Sequence, residues 1–164
     1  MQGSIRAGRT DEAEALADLH LETALHAYAG IFPPEAPVPT RDELTATWTD
    51  ALRRLAVFVA DADGERAGVA CSGPDPIDDA AGHLSRLYVR PQFWGRGIGR
   101  ALHDVCLGHL REQGFELATL WVLDRNTRAR EWYERLGWRI TGGYKPVYTP
   151  AGICDLRYRL LLRP

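Results

Sequence analysis

The chain has 164 residues, a length that suits one domain over residues 1–164 and leaves little room for two. With 45% hydrophobic and 26% charged residues it has the make-up of a globular protein that buries a core without disulfide or metal staples. The formal net charge of −2 supplies no basic field, so nucleic acid is not an expected partner.

Residues 4–7 read as a short first strand. Thr10 is placed to cap a helix, with Asp11 and Glu12 in its first turn. Leu16, Leu19, His20 and Thr23 then recur at helical spacing. Gly30, Pro33 and Pro34 end that helix. A second helix opens at Thr40 with a capping-box pattern, Thr40 then Glu43, and carries Leu44, Trp48 and Leu52 on one face.

The period then changes. Residues 55–60 and 66–72 form a hairpin around the turn signal at residues 61–65. Residues 73–79 are a loop, and residues 83–89 a strand stopped by Pro91. Ile98, Ala101, Leu102, Val105, Cys106 and Leu110 make an apolar helical stripe closed by Gly114. Leu117 to Leu123 is a strand, and residues 127–136 a helix capped by Asn126 and followed by Gly137. Two last strands, residues 138–141 and 154–161, flank a Gly/Pro-rich connection. This order predicts a mixed α+β fold, a twisted and mostly antiparallel sheet flanked by helices. The strand–helix–strand unit over residues 83–123 is its one expected parallel crossover.

Cys71, Cys106 and Cys154 form no CxxC pair and are odd in number. That argues against a zinc knuckle or a disulfide framework and for a reducing cytoplasm; no metal is expected. No apolar stretch of signal-peptide length follows Met1-Gln2-Gly3-Ser4-Ile5-Arg6, and residues 55–60 are too few to cross a membrane, so no membrane partner is expected.

The chemistry concentrates in Gln92-Phe93-Trp94-Gly95-Arg96-Gly97-Ile98-Gly99-Arg100, a glycine-rich turn at the start of an amphipathic helix. Glycine admits φ > 0 and close approach of a ligand. The first N–H groups of a helix lack internal partners and sit at its positive pole, which suits a phosphate. Arg96 and Arg100 add mobile positive charge. The turn lacks the Gly-Lys-Ser/Thr ending of a Walker loop, and its GxGxG spacing departs from the Rossmann GxGxxG.

Leu87-Tyr88-Val89-Arg90-Pro91 followed by Gln92-x-x-Gly95-x-Gly97 resembles the acetyl-CoA motif of the GNAT superfamily of N-acetyltransferases, and the order of elements is similar over essentially the whole chain. The resemblance implies that acetyl-CoA is the co-substrate. It implies that the backbone of Gly95, Arg96, Gly97, Ile98, Gly99 and Arg100 holds the pyrophosphate. Leu87, Tyr88 and Val89 then pair with the pantetheine arm as with an added strand. A bulge in that strand makes room for the arm, and a backbone N–H near Leu87 polarises the acetyl carbonyl. Members of the family often form homodimers, so a homodimer is one expected assembly.

Asn126 and Tyr133 lie two helical turns apart and can face one ligand. In the resemblance, Asn126 lies beside the pantetheine arm and Tyr133 protonates the departing thiolate. On residue type alone, Asn126 is also a helix cap and Tyr133 a core aromatic. Some members use a glutamate base in the strand before the motif; the matching residue is His83, which can accept a proton near neutral pH. A hydrogen-bonded strand histidine and a water relay are the other readings. Protein N-terminal acetylating members place a glutamate where this chain has Trp121, so a small-molecule primary amine is the expected acceptor. A peptide acceptor and a non-catalytic acyl-CoA sensor are the alternatives. Tyr28 is the leading acceptor-site candidate, ahead of Phe32, Trp48, Tyr144 and Tyr148. Glu22, Glu35 and Asp42 are candidates to steer a cationic amine.

Overall fold

The computed structural model describes residues 3–162; Met1 and Gln2 of the stretch inspected for a signal sequence lie outside them. The elements are β1 (Ser4–Ala7), α1 (Ala13–Ala27), α2 (Arg41–Arg54), β2 (Ala56–Ala62), β3 (Glu65–Pro74), β4 (Gly82–Val89), α3 (Ile98–Glu112), β5 (Leu117–Leu123), α4 (Thr127–Arg135), β6 (Arg139–Tyr148) and β7 (Ile153–Leu161). They form one seven-stranded sheet in the order β1-β2-β3-β4-β5-β7-β6. Every neighbour pair is antiparallel except β4 with β5, the pair joined by the α3 crossover.

Two details depart from the sequence reading. Thr10 does not cap α1: it opens a one-turn 3-10 segment, Thr10–Glu12, and α1 begins at Ala13. The Glu12 carboxylate closes that 3-10 turn instead, accepting the Arg9 N–H at 2.9 Å, and α1 itself has no side-chain cap. The last connection is also far shorter than its glycines and proline suggest. β6 runs through Gly142, Gly143 and Pro146 to Tyr148, with register shifts against β7 around Gly142 and between Pro146 and Tyr148. As the sheet's edge strand it needs no ladder N–H on its outer side, so proline is tolerated there.

The two faces of the sheet carry separate cores. One packs α3 through Ile98, Leu102, Cys106 and Leu110 against Leu84, Val89, Leu120 and Tyr158, with Tyr133 and Trp138 beside it. The other packs Leu16, Leu19, Leu44 and Trp48 of α1 and α2 against Val57, Val59, Val69 and Cys71. Helices α1 and α2 contact β2, β3 and β4 and leave the same face of β5 and β7 uncovered. Among the described residues no helix is long and apolar enough to cross a membrane.

Glu12 ties α1 to the sheet. It is 2% exposed and accepts both terminal nitrogens of Arg6 at 2.8 Å and Arg66 Nε at 2.8 Å. The Arg6 bonds above all hold its carboxyl down to about 2. Removing a buried partner strands the charges that faced it. Glu12→Ala is expected to lower unfolding stability by about 3 kcal/mol, read from the urea midpoint at constant m. A change below about 0.5 kcal/mol would rule out this anchoring role.

Candidate functional site

The site begins with a fault in a strand. Residues 86–89 of β4 pair with β3 through Cys71↔Arg86, Ala70↔Leu87, Val69↔Tyr88 and Gly68↔Val89, but the next partner of Ser72 is Leu84. Ser85 is the extra residue, a β-bulge that bends and twists the strand. It also resets the alternation, so Leu84 and Leu87 both face the α3 core. On the other side, β4 pairs with β5 only at Gly82↔Ala118 and His83↔Thr119. Beyond His83 the strands diverge, and the outer edge of residues 84–89 has no partner strand.

A cavity of about 760 Å³ fills the opening and reaches both faces of the sheet. Leu84, Leu87, Leu120, Asn126, Ala129 and Tyr133 line it from the α3–α4 side. Tyr28, Arg54, His83, Arg86, Tyr88, Trp121, Lys145 and Asp155 line it from the other.

The glycine-rich turn follows the open edge. Gly95 and Gly97 have φ of 77° and 80°, a left-handed conformation that glycine alone adopts without strain. Gly97 is the N-cap residue of α3 and supplies no capping side chain. The first-turn N–H groups of a 15-residue helix therefore remain available to an anion. Open turn, uncapped helix and unpaired strand edge together fit a long ligand with a pyrophosphate and an extended amide-bearing arm. The Ile98 side chain is buried in the core, so this residue can offer only its backbone. Arg96 and Arg100 are not free charges here. Arg96 pairs with Asp63 at 2.6 Å and Arg100 with Asp104 at 2.8 Å, both as exposed pairs that are easily exchanged.

Asn126 caps α4, its Oδ1 accepting the Ala129 N–H at 3.2 Å, and it also lines the cavity; the two roles coexist. Tyr133 packs edge-on against Trp132 and Trp138, yet its hydroxyl has no hydrogen-bond partner among the described residues and the side chain lines the cavity. Burial pushes this phenol well above its usual range, so it stays protonated.

His83 is buried and its ring position is dictated. Nδ1 lies 2.8 Å from Thr119 Oγ1, which donates to Asp75 Oδ2. Arg157 Nη2 pairs with the same Asp75 oxygen at 2.6 Å, and the Ile77 N–H donates to Oδ1 at 2.8 Å. Burial pushes the Asp75 carboxyl up, but these donors outweigh it and hold the group below its usual range. An ionised carboxylate only accepts, so Thr119 must give it its one proton, and His83 must then donate from Nδ1. Nε2 is left with its lone pair and no hydrogen-bond partner among the described residues. Burial, opposed by Asp75, pushes the imidazole down to about 4, so the ring is neutral at pH 7.

The aromatic candidates divide. Tyr28 lines the cavity, with Phe32 edge-on behind it at 6.1 Å. Trp48 is fully buried in the α1–α2 core, and Tyr144 is exposed on β6. Tyr148 is half-buried and away from the cavity wall. Glu22, Glu35 and Asp42 do not line the cavity; Glu22 pairs with Arg90 at 3.2 Å. Sequence reasoning missed Asp75, Thr119, Arg86, Lys145, Asp155 and Arg157. Asp75 sat in what read as a Gly/Pro loop, 44 and 82 residues from Thr119 and Arg157, and no local period connects them. Trp121, set aside for lacking a base, lies between Lys145 Nζ at 4.7 Å and the Arg157 guanidinium at 5.0 Å. The described residues contain no group of three metal-ligating side chains, and the three cysteines are unpaired.

The buried histidines set a pH dependence. His20, unpaired at Nδ1 and stacked on Tyr88, is also pushed down to about 4 by burial. The unfolded chain binds protons at both rings below about pH 6.5 while the folded chain does not, so stability is present above that pH. The melting temperature is expected to fall as pH drops from 6.5 towards 4, and His83→Gln to flatten the slope. An unchanged slope in the variant would contradict the burial of a neutral ring.

The profile of the acetyltransferase (GNAT) family matches residues 21–138. A mycothiol acetyltransferase from Beutenbergia cavernae is 38% identical over 125 residues, 74% of this chain and 41% of the relative. The chain thus spans less than half the length of that relative. The PaiA N-acetyltransferase from Thermoplasma acidophilum, solved in complex with coenzyme A, shares the fold with a TM-score of 0.78 at 19% identity over 98% of this chain and 99% of the other. The ribosomal-protein-S18-alanine N-acetyltransferase from Escherichia coli does so with a TM-score of 0.71 at 20% identity, covering 99% and 96%. With a bulged fourth strand, an uncapped glycine turn on α3 and a matching profile over most of its length, this chain belongs to the GNAT acetyltransferase family.

Proposed function

We propose that the chain is a one-domain cytoplasmic enzyme that moves an acetyl group from acetyl-CoA directly to a primary amine of a small molecule. The observation that carries this reading is the single cavity that crosses the sheet where β4 leaves β5. Its wall on the α3–α4 side includes Leu87, Asn126 and Tyr133, and its wall on the opposite side of the sheet is more polar, with Tyr28, His83, Arg86, Lys145 and Asp155. A donor and an acceptor can therefore meet inside from opposite sides. Holding two reactants in line supplies much of the rate in a direct transfer.

Acetyl-CoA supplies the activated acetyl thioester. The backbone of residues 95–100 holds its phosphates, residues 87–89 offer their open edge to its arm, and Asn126 stands beside it. A backbone N–H near Leu87 is the oxyanion donor. Tyr133, kept protonated by burial, is the acid for the leaving sulfur. His83, neutral with a free Nε2, is the base for the acceptor ammonium, and Tyr28 shapes the acceptor end. A primed acid and a primed base favour turnover over a sensor. A small acceptor is favoured by the mycothiol acetyltransferase relatives and by Trp121 at the place of a peptide-acetylating glutamate.

Thiol release from acetyl-CoA over a panel of amines tests the reaction. Coenzyme A binding with no release over any amine would favour the sensor. Tyr133→Phe is expected to lower kcat by about 100-fold with coenzyme A affinity retained; a kcat within a factor of two of wild type would dismiss the acid role. Thr119→Val unlocks the His83 tautomer and is expected to lower kcat by about tenfold or more, with Thr119→Ser restoring it. Equal rates for the Val and Ser variants would refute that role for the hydroxyl.

A further inference from the structure

Arg86 is a charge without a counter-charge. It is half-buried on β4, lies over the Trp48 ring at 5.6 Å and points Nη1 at Cys71 Sγ from 3.9 Å. No carboxylate of the described residues lies within salt-bridge distance of it. A ring face and a thiol leave most of its five donors unused. The other cations lining the cavity are paired, Lys145 with Asp155 at 3.7 Å and Arg54 with Asp50 at 3.5 Å, as is the neighbouring Arg157 with Asp75 at 2.6 Å. Taking a guanidinium partly out of water costs free energy unless an anion meets it.

That anion is not the donor's pyrophosphate. Arg86 pairs with Cys71 in the strand register, and Cys71 belongs to the α1–α2 core. The glycine turn opens α3, which packs on the other face of the sheet. Arg86 therefore faces the acceptor side, among Tyr28, Arg54, Trp121 and Asp155. Asp155 lies across β5 from it in the sheet order and is already matched by Lys145. One wall thus offers an unmatched fork for an oxyacid, and the other a carboxylate–ammonium pair that brings no further positive charge.

We propose that the acceptor is an amine that also carries an oxyacid group, a carboxylate or a phosphate, and that Arg86 binds this group. The inference rests on the acetyl-transfer reading and narrows its substrate to amino-acid-like molecules. A planar guanidinium matches both anions in bidentate geometry. Neutral and purely cationic amines lack the group that satisfies Arg86 and are poor acceptors.

The test is steady-state thiol release from acetyl-CoA, with wild type, Arg86→Gln and Arg86→Lys. The acceptors are the protein amino acids, each beside its C-terminal amide, and 2-aminoethyl phosphate beside ethanolamine. Wild type should prefer the acid-bearing member of its best pair by about tenfold or more in kcat/KM, the scale of one charge-assisted contact. In Arg86→Gln that ratio should collapse to about twofold through a rise in KM for the acid-bearing partner, and Arg86→Lys should restore part of it. Calorimetric binding of coenzyme A to Arg86→Gln at wild-type affinity establishes that the variant is folded. Preference for the phosphate pair supports the same subsite. Wild type acting on amides or ethanolamine as well as on their acidic partners overturns the proposal while acetyl transfer stands. So does an equal loss on both members of a pair in Arg86→Gln. Wild type that binds coenzyme A but releases no thiol over any amine tested removes the acetyl-transfer reading, and this proposal with it.

Discussion

The pairing that β4 does not make with β5 organises the rest of the molecule. A parallel strand pair joined by a helix ordinarily zips along its length and buries both strands. Here the ladder ends after His83↔Thr119, because Ser85 adds a residue and turns the strand away. Backbone groups of residues 84–88 that would have bonded to β5 are left facing a cavity, the Val89 carbonyl beyond them accepts Trp94 Nε1 at 2.7 Å, and unpaired buried backbone groups are costly. The cores on both faces hold the strands apart all the same: Leu84, Leu87 and Val89 are fixed against α3, and Tyr88 against α1 and α2. The stability of two hydrophobic layers offsets one unmade ladder, and the unmade ladder is where an extended ligand arm can substitute for a strand.

The opening also decides the electrostatics. Side chains that would sit between two paired strands instead line a partly dry cavity, where charges interact strongly and neutral forms are favoured. Burial thus moves Tyr133 and His83 in opposite senses, keeping the phenol protonated and the imidazole unprotonated at neutral pH. The Asp75–Thr119–His83 chain adds orientation, since the carboxylate reaches the ring only through the hydroxyl. At 3.7 Å from Nδ1, Asp75 is too distant for a direct bond, and burial outweighs its pull on a proton, so the imidazole stays neutral.

Much of the fold was legible because its signals are local. The α3 stripe, the Thr40–Glu43 capping box and the β5 run each lie within one element, and β5 was read to the residue. The glycine turn was legible for the same reason: its chemistry is backbone chemistry, written in consecutive residues. The failures have physical causes. At Thr10 the chain makes a 3-10 turn before α1, because the buried Glu12 carboxylate answers to Arg6, Arg66 and the Arg9 N–H and is drawn in ahead of the helix. At Gly142 and Pro146 an edge position excused residues that break interior strands. The Asp75 cluster was invisible because its members come from a loop and three strands that meet only after folding. Arg86 was invisible because its meaning lies in the missing partner, and a sequence does not display what a side chain lacks.

That contrast separates the two halves of the site. On the donor side the recognising groups are N–H groups and a strand edge, which any sequence supplies if glycines and a bulge shape it correctly. Their pattern is constrained by geometry and so leaves a motif. On the other side the cavity is lined by Tyr28, Arg86, Trp121, Lys145 and Asp155, drawn from a loop and four different strands. Trp121, Lys145 and Asp155 lie on β5, β6 and β7, outside the part of the sheet that α1 and α2 contact, and can change without disturbing that core; Arg86 lies over Trp48 of α2. A fold built this way can keep one face of the opening constant while the other varies, as expected when function is grafted onto a shared scaffold. Under the proposed acetyl transfer the acceptor is set by the charges on the varying face, and Arg86 is the cavity-lining cation there without a carboxylate partner among the described residues.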